Sequence, residues 1–363
     1  MKTSKENGFP FTVRFLIGLA AAGLVLYFMH LLAHMITNLF LAFMIAIVAA
    51  PLLEWLRKKG LPNWLAFLLT LTAVAIGIAL LVLFLAVATT NLINAIPTYS
   101  QDLQDVQTAF YDKVLSQKQL DSMFSELSNR LDFARLFQIG GNLLGRILDT
   151  LGNVFIIILY VIFMLVQVFT TPQILQQEVA RGNAHLERII VYIHDLRRYL
   201  VITAVIALVT GVLDTLLFII LGIPNPFMWG GIAAVLSFVP SIGFWIAAIP
   251  PSILAFFEHG WLIALVTISG IILINGFADN VIKPRYLGSG LDLSPFIVIF
   301  SVIFWALILG PLGAIIGVPL SMAIKSLLFE ADESMFWAAN LMGSGPADGK
   351  LAEVRLETDQ DES

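Results

Sequence analysis

The chain has 363 residues, 59% of them hydrophobic and only 12% charged, with a mean hydropathy of +0.91. A soluble globular chain carries about 25% charged residues, so this composition excludes an ordinary water-soluble domain. Zero cysteines exclude a disulfide framework, a thiol nucleophile and Cys-ligated metal. The net charge of −5 says little, because membrane proteins are read by where their charges lie. No cofactor and no nucleic-acid partner are expected.

Between Arg14 and Glu54 there is no Asp, Glu, Lys or Arg. A bilayer explains such a run, since about 20 apolar residues cross its ~30 Å hydrocarbon slab as a helix. Lys2, Lys5 and Arg14 before the apolar run resemble a signal peptide in charge layout, but the run is too long and leads straight into another, so it reads as a retained first span. Continuous spans are predicted at 13–33, 36–53, 64–90, 151–171, 199–222 and 261–282. The break between the first two rests on His30, His34, Thr37 and Asn38. Two further apolar stretches, 226–257 and 293–327, are too long for one straight span and are interrupted near their middles.

The segment 91–150 mixes polar residues with apolar ones at helical spacing (Leu103, Val106, Phe110, Val114). That pattern predicts two amphipathic helices lying on the membrane or on a partner. Residues 172–198 repeat the theme, with Leu186, Ile189, Ile190, Ile193 and Leu196 on one face. The tail after Asn340 is small, polar and acidic, and reads as disordered. The expected division is 1–90 (three spans), 91–150 (amphipathic segment), 151–198 (fourth span and a cytoplasmic amphipathic helix), 199–327 (transport core) and 328–363 (cytoplasmic tail).

Lys and Arg placement sets the orientation. With the N-terminus in the cytoplasm, Arg57, Lys58 and Lys59 fall inside after two spans, and Arg181, Arg188, Arg197 and Arg198 after four. Lys283 and Arg285 fall inside only if 226–257 dips into the membrane and returns. If 293–327 does the same, the tail is inside too. The remaining five basic residues lie in 91–150, where the rule is weak. The fold class expected is therefore an all-α polytopic membrane protein with about six full spans plus two re-entrant helical hairpins.

The region 199–327 also echoes itself. Gly211-x-x-Asp214 answers Gly276-x-x-Asp279, and Pro226-Phe227 answers Pro295-Phe296. Pro240-Ser-Ile-Gly243 answers Gly310-Pro-Leu-Gly313, and Pro250 answers Pro319, at offsets of 65, 69, 70 and 69 residues. In the topology above the two units run in opposite directions, which makes an inverted repeat of span plus hairpin. Chance matches among the Pro and Gly residues common in membrane helices are the competing explanation. Broken helices leave backbone N–H and C=O groups unpaired at membrane depth, and transporters use such places to bind substrate and coupling ion.

Phe238-Val-Pro-Ser-Ile-Gly-Phe-Trp-Ile-Ala-Ala-Ile-Pro-Pro251 resembles the signature of the autoinducer-2 exporter family. So do Asn280-Val-Ile-Lys-Pro284 with Gly288, Leu293-Ser-Pro295, Gly310, Gly313 and Val318-Pro319-Leu320, and near the N-terminus Ala49-Ala-Pro51, Leu56 and Gly60-Leu-Pro62. The resemblance implies a multi-pass bacterial inner-membrane transporter, a homo-oligomer, that exports autoinducer-2 or exchanges sodium for protons. It does not fix the substrate, and the two membrane Asp residues are not part of the matched signature.

Asp214 and Asp279 are the only acidic residues inside the predicted spans. An Asp near a helix centre costs about 2.5–3.5 kcal/mol of insertion, so it faces a cavity or a partner. One reading gives Asp214 and Asp279, with Asn275 and Asn280, the coupling H+ or Na+. The other makes Asp214 a hydrogen bond between helices and Asp279 an ion pair with Lys283 one turn on. The hairpin tips, Pro240, Ser241 and Gly243 with Gly310, Pro311 and Gly313, are the expected substrate site, against the plainer reading that they only let the chain reverse. His30 and His34 share a helix face without a third ligand, so no metal is expected. The chain is not expected to be an enzyme. It has no Gly-x-x-x-x-Gly-Lys-Ser/Thr loop and no His-Glu-x-x-His, and Leu213 and Ala278 stand where a Gly-x-Gly-Asp protease needs Gly. A passive channel or an interaction scaffold built on 91–150 is the alternative from another class.

Overall fold

The computed structural model describes residues 11–114, 142, 145, 154–180, 184–240, 242–287, 293–330 and 335–343. Among them every regular element is a helix. An apolar solvent leaves the backbone only itself to bond to, and the helix satisfies that within one segment. In chain order the helices are α1 (Phe11–Leu31), α2 (Ala33–Lys58), α3 (Asn63–Val114), α4 (Val154–Ala180) and α5 (Ala184–Ile220). Then come α6 (Pro226–Leu236), α7 (Gly243–His259), α8 (Trp261–Phe277), α9 (Lys283–Leu287), α10 (Pro295–Leu309), α11 (Pro311–Ile324) and α12 (Phe336–Met342). Single π-turns, Ala278–Ile282 and Lys325–Phe329, follow α8 and α11.

Among the described residues five helical stretches are long and apolar enough to cross a membrane: Ala33–Lys58, Asn63–Ala88, Arg188–Ile220, Trp261–Ile282 and Pro311–Phe329. Four correspond to predicted spans. The fifth lies in the second interrupted stretch, as its exit arm. Predicted spans 13–33 and 151–171 correspond to the shorter apolar helices Phe15–Leu31 and Val154–Gln167.

Two boundaries differ from the sequence expectation. The segment 172–198 does not form a helix of its own: residues up to Ala180 end α4, and from Ala184 the chain belongs to α5, which runs unbroken to Ile220. His194, Asp195, Arg197 and Arg198 end the apolar pattern without ending the backbone hydrogen-bond ladder. Likewise α3 continues past residue 90 to Val114, so the 91–150 segment begins as an extension of the third span. Apart from residues 142 and 145, the rest of its predicted helices lie outside the described residues, as does the acidic tail beyond residue 343; the start of the expected tail instead forms helix α12.

Helix starts follow local chemistry. Pro226, Pro295 and Pro311 each open a helix, where the missing N–H costs nothing. Ser294 caps α10 by accepting the Ile297 N–H at 3.4 Å. The interruptions fall at 237–242, between α6 and α7, and at Gly310, between α10 and α11. Gly310 has φ +78° and ψ −166°, a region essentially closed to residues with a Cβ.

α2 and α5 form the centre. α2 packs on α3, α4, α5, α10 and α11, and α5 on α4, α6, α8 and α11. Ala42, Ala46, Ala49 and Leu53 line the buried face of α2 and share a core with Ile157, Val161 and Leu165 of α4, small residues letting the backbones close in. Of the two helix pairs α6–α7 and α10–α11, α6 and α11 each pack on α5.

Candidate functional site

The turns of the two pairs differ in length but each brings a glycine against its entry arm. After α6, the Val239 N–H donates to Leu236 O at 2.9 Å and the Gly243 N–H to Val239 O at 3.0 Å. After α10, the Gly313 N–H donates to Gly310 O at 2.8 Å. A Cβ on Gly243 would overlap the Leu236 carbonyl, and one on Gly313 would overlap the Trp305 carbonyl. Each return arm thus starts in backbone contact with the last turn of its entry arm. Pro240 and Pro311 are half-buried beside them, and Ser241 lies outside the described residues.

Residues of each turn join a core that also contains residues of other helices. Val239 and Ile242 of the first belong to the core shared by α2, α5, α10 and α11. Leu312 of the second belongs to the core shared by α2 to α8. Within the second pair the Trp305 Nε1–H donates to Ser321 Oγ at 3.0 Å. The Tyr192 hydroxyl of α5 donates to Pro319 O at 3.2 Å.

Asp214 is fully buried and Asn275 is 4% exposed. They meet between α5 and α8, where Asn275 Nδ2 donates to Asp214 Oδ2 at 3.1 Å, Oδ1 at 3.4 Å and Ile271 O at 3.1 Å. Among the described residues no Lys, Arg or His pairs with Asp214. Asp279 lies elsewhere, in an ion pair with Lys283 at 2.6 Å, one turn on in the π-turn region. Asn280 is exposed and donates to Gly276 O at 2.8 Å. The four polar residues predicted for ion coupling thus separate into a deep pair, Asp214 with Asn275, and two residues with local partners.

A stripe not anticipated from the sequence connects the deep pair to the first turn. On α5, Tyr199, Thr203, Thr210 and Asp214 are all buried. Their spacings of four, seven and four residues keep them on one helix face. Thr210 Oγ1 lies 3.4 Å from Ser237 Oγ, at the end of α6, and donates to Ile206 O at 3.0 Å. From Tyr199 to Asp214 the stripe climbs about 22 Å, at about 1.5 Å per residue. The spacing was the available signal, hidden because threonine occurs freely in apolar helices. Two more buried polar atoms, Trp229 Nε1 and Ser252 Oγ, belong to the first pair and have no hydrogen-bond partner among the described residues.

A close seam fixes α6 to α5. A Cβ on Gly211 would come within 2.6 Å of Ala234 Cβ and 2.9 Å of Gly230 O. The matching Gly276 on α8 has nothing within 4 Å of its would-be Cβ, and α8 does not pack along α10.

Comparison with known proteins agrees with this architecture. The family profile described as AI-2E family transporter matches residues 16–331. The AI-2 transport protein TqsA of Escherichia coli is 31% identical over 299 residues, covering 82% of this chain and 86% of that protein. A putative transport protein of Haemophilus influenzae is 27% identical over 345 residues, covering 90% and 96%. The putative transport protein YrrI of Bacillus subtilis is 23% identical over 305 residues, covering 80% and 84%.

Proposed function

The chain belongs to the AI-2E transporter family, and from that premise we propose that it is an ion-coupled secondary exporter of a small polar metabolite of the autoinducer-2 kind. The observation that carries the coupling is the buried stripe of α5, which runs from Tyr199 to the Asp214–Asn275 pair and touches the first helix turn through Thr210 and Ser237. A carboxylate held that deep without a basic partner is costly unless a proton or a bound cation shares its charge. Movement of H+ or Na+ through the site is the use for which such a cost is commonly retained.

The substrate site in this reading lies at the two turns, at Pro240, Ser241, Gly243, Gly310, Pro311 and Gly313. Trp229 Nε1 and Ser252 Oγ supply hydrogen-bonding groups beside the first pair. We read α6–α7 and α10–α11 as re-entrant hairpins. Their entry arms, 11 and 15 residues, are about 17 and 22 Å long, short of the ~30 Å slab. The positive-inside pattern supports a bacterial inner-membrane location with both termini in the cytoplasm. TqsA is named an AI-2 transport protein, which supports the substrate class. A sodium–proton antiporter is the second reading. The Asp214–Asn275 pair favours it, since the pair is complete without any organic substrate.

Proteoliposomes carrying the purified chain separate these readings. Autoinducer-2 efflux that saturates and follows an imposed pH or Na+ gradient supports the exporter. Proton flux driven by Na+ with no organic substrate present supports the antiporter. Unsaturated, gradient-independent flux would sink both in favour of a channel.

A further inference from the structure

Between α5 and α8 lies a groove of about 670 Å³. Val201, Val205 and Leu213 form one wall, and Leu273, Phe277 and Tyr286 the other. Its only hydroxyl groups are those of Thr210 and Tyr286, and the Thr210 hydroxyl is turned to Ile206 O and Ser237. A polar metabolite would find almost nothing to bond there. From Val201 to Leu213 the groove runs about 18 Å along α5, at about 1.5 Å per residue, close to the ~15 Å hydrocarbon depth of a single leaflet.

The end at Val201 and Tyr286 is basic. Arg198 lies one turn before Val201 on the same face of α5, and its Nε–H donates to the Tyr286 carbonyl at 3.2 Å. Arg285 is adjacent to Tyr286 and exposed. Among the described residues neither guanidinium meets a carboxylate. Lys283 is already paired with Asp279. Two guanidinium groups at the mouth of a leaflet-long apolar groove complement a phosphate carrying a hydrocarbon chain, because Arg binds phosphate through paired N–H donors and basic pockets between membrane helices hold anionic headgroups.

We propose that this groove is a site for one anionic phospholipid, with an acyl chain between α5 and α8 and its phosphate on Arg198 and Arg285. The inference needs only the membrane embedding of the chain, so it stands or falls separately from the transport reading.

Native mass spectrometry of the full chain, released from detergent in equal amounts of phosphatidylglycerol and phosphatidylcholine, tests it. Phosphatidylglycerol should be retained in preference. Arg198→Gln with Arg285→Gln should lower that retention about thirtyfold, at about 1 kcal/mol for each basic residue near the headgroups, while Arg198→Lys with Arg285→Lys keeps most of it. Val205→Trp, on an exposed position, should fill the groove and release the lipid. Equal retention of the two lipids, or phosphatidylglycerol retention unchanged in the Gln pair or in Val205→Trp, would overturn the proposal. The cysteine-free background allows one more arm. Leu273→Cys should stay uncross-linked in native vesicles, and a disulfide between two copies would mean that protein rather than lipid covers the groove.

Discussion

Asp214→Asn separates the ion-carrying role from the structural one. The substituted amide is nearly isosteric and still accepts a hydrogen bond from Asn275, now 3.1 Å away. It also removes an acidic group whose insertion cost is about 2.5–3.5 kcal/mol. Folding stability should therefore be at least that of the parent, while gradient-driven transport falls tenfold or more. Asn275→Leu acts in the opposite way. It strips the buried carboxylate of its amide donor, a hydrogen bond to a charged group, and should destabilise the fold by about 1.5–3 kcal/mol. Replacing both partners, Asp214→Leu with Asn275→Leu, should recover most of that loss, because no buried polar group is then left unpaired. Unfolding free energies in mixed micelles give the stability arm, and proteoliposome flux under a pH or Na+ gradient gives the transport arm. Parent-level flux from Asp214→Asn would refute the carrier role. A double variant no more stable than Asn275→Leu alone would refute the pairing.

Three further outcomes follow from the packing. Gly211→Ala should cost about 1–3 kcal/mol by forcing α6 off α5, whereas Gly276→Ala, with open space around it, should be neutral or stabilise by up to about 1 kcal/mol; unfolding of the two variants side by side checks this. Gly243→Ala and Gly313→Ala should each lose about 1–3 kcal/mol and lower flux, since the overlapping atoms are backbone carbonyls, and full stability in either would show that the turns are loosely built. Lys283→Gln with Asp279→Asn removes a partly exposed ion pair and should change stability by about 0.2–1 kcal/mol without abolishing gradient-driven flux, so its loss would move the coupling site to Asp279.

Membrane embedding was legible from composition, and the interruptions at Pro240 and Gly310 were legible because Pro and Gly act locally on the backbone. Helix continuity was not. His194, Asp195, Arg197 and Arg198 look like the end of an element on a hydropathy scale, yet α5 passes through them because a charged side chain at the membrane edge does not compete for the ladder. The meeting of Asp214 with Asn275 was not legible either. Sixty-one residues separate them, and only the packing of α5 on α8 brings them together. Naming both as polar residues inside predicted spans was as far as composition could go.

The repeat shows most clearly what sequence symmetry leaves open. Gly211 and Gly276 occupy matching places in the two units, yet one is wedged against α6 and the other faces open space. Glycine permits close approach without requiring it; the neighbouring helix decides. α5 has small residues opposite it, Gly230 and Ala234, while α8 lies against α7, to which Gly260 joins it directly. That single-residue turn, with φ +87° and ψ 177°, keeps α7 and α8 side by side. It thereby leaves the entry arm of the second unit to pack on α1 and α2 instead. Gly243 and Gly313, by contrast, are each held closely against the arm that precedes them, at the Leu236 and Trp305 carbonyls. Matching sequence positions behave alike where their residues interact within one helix pair and differ where they depend on a third helix.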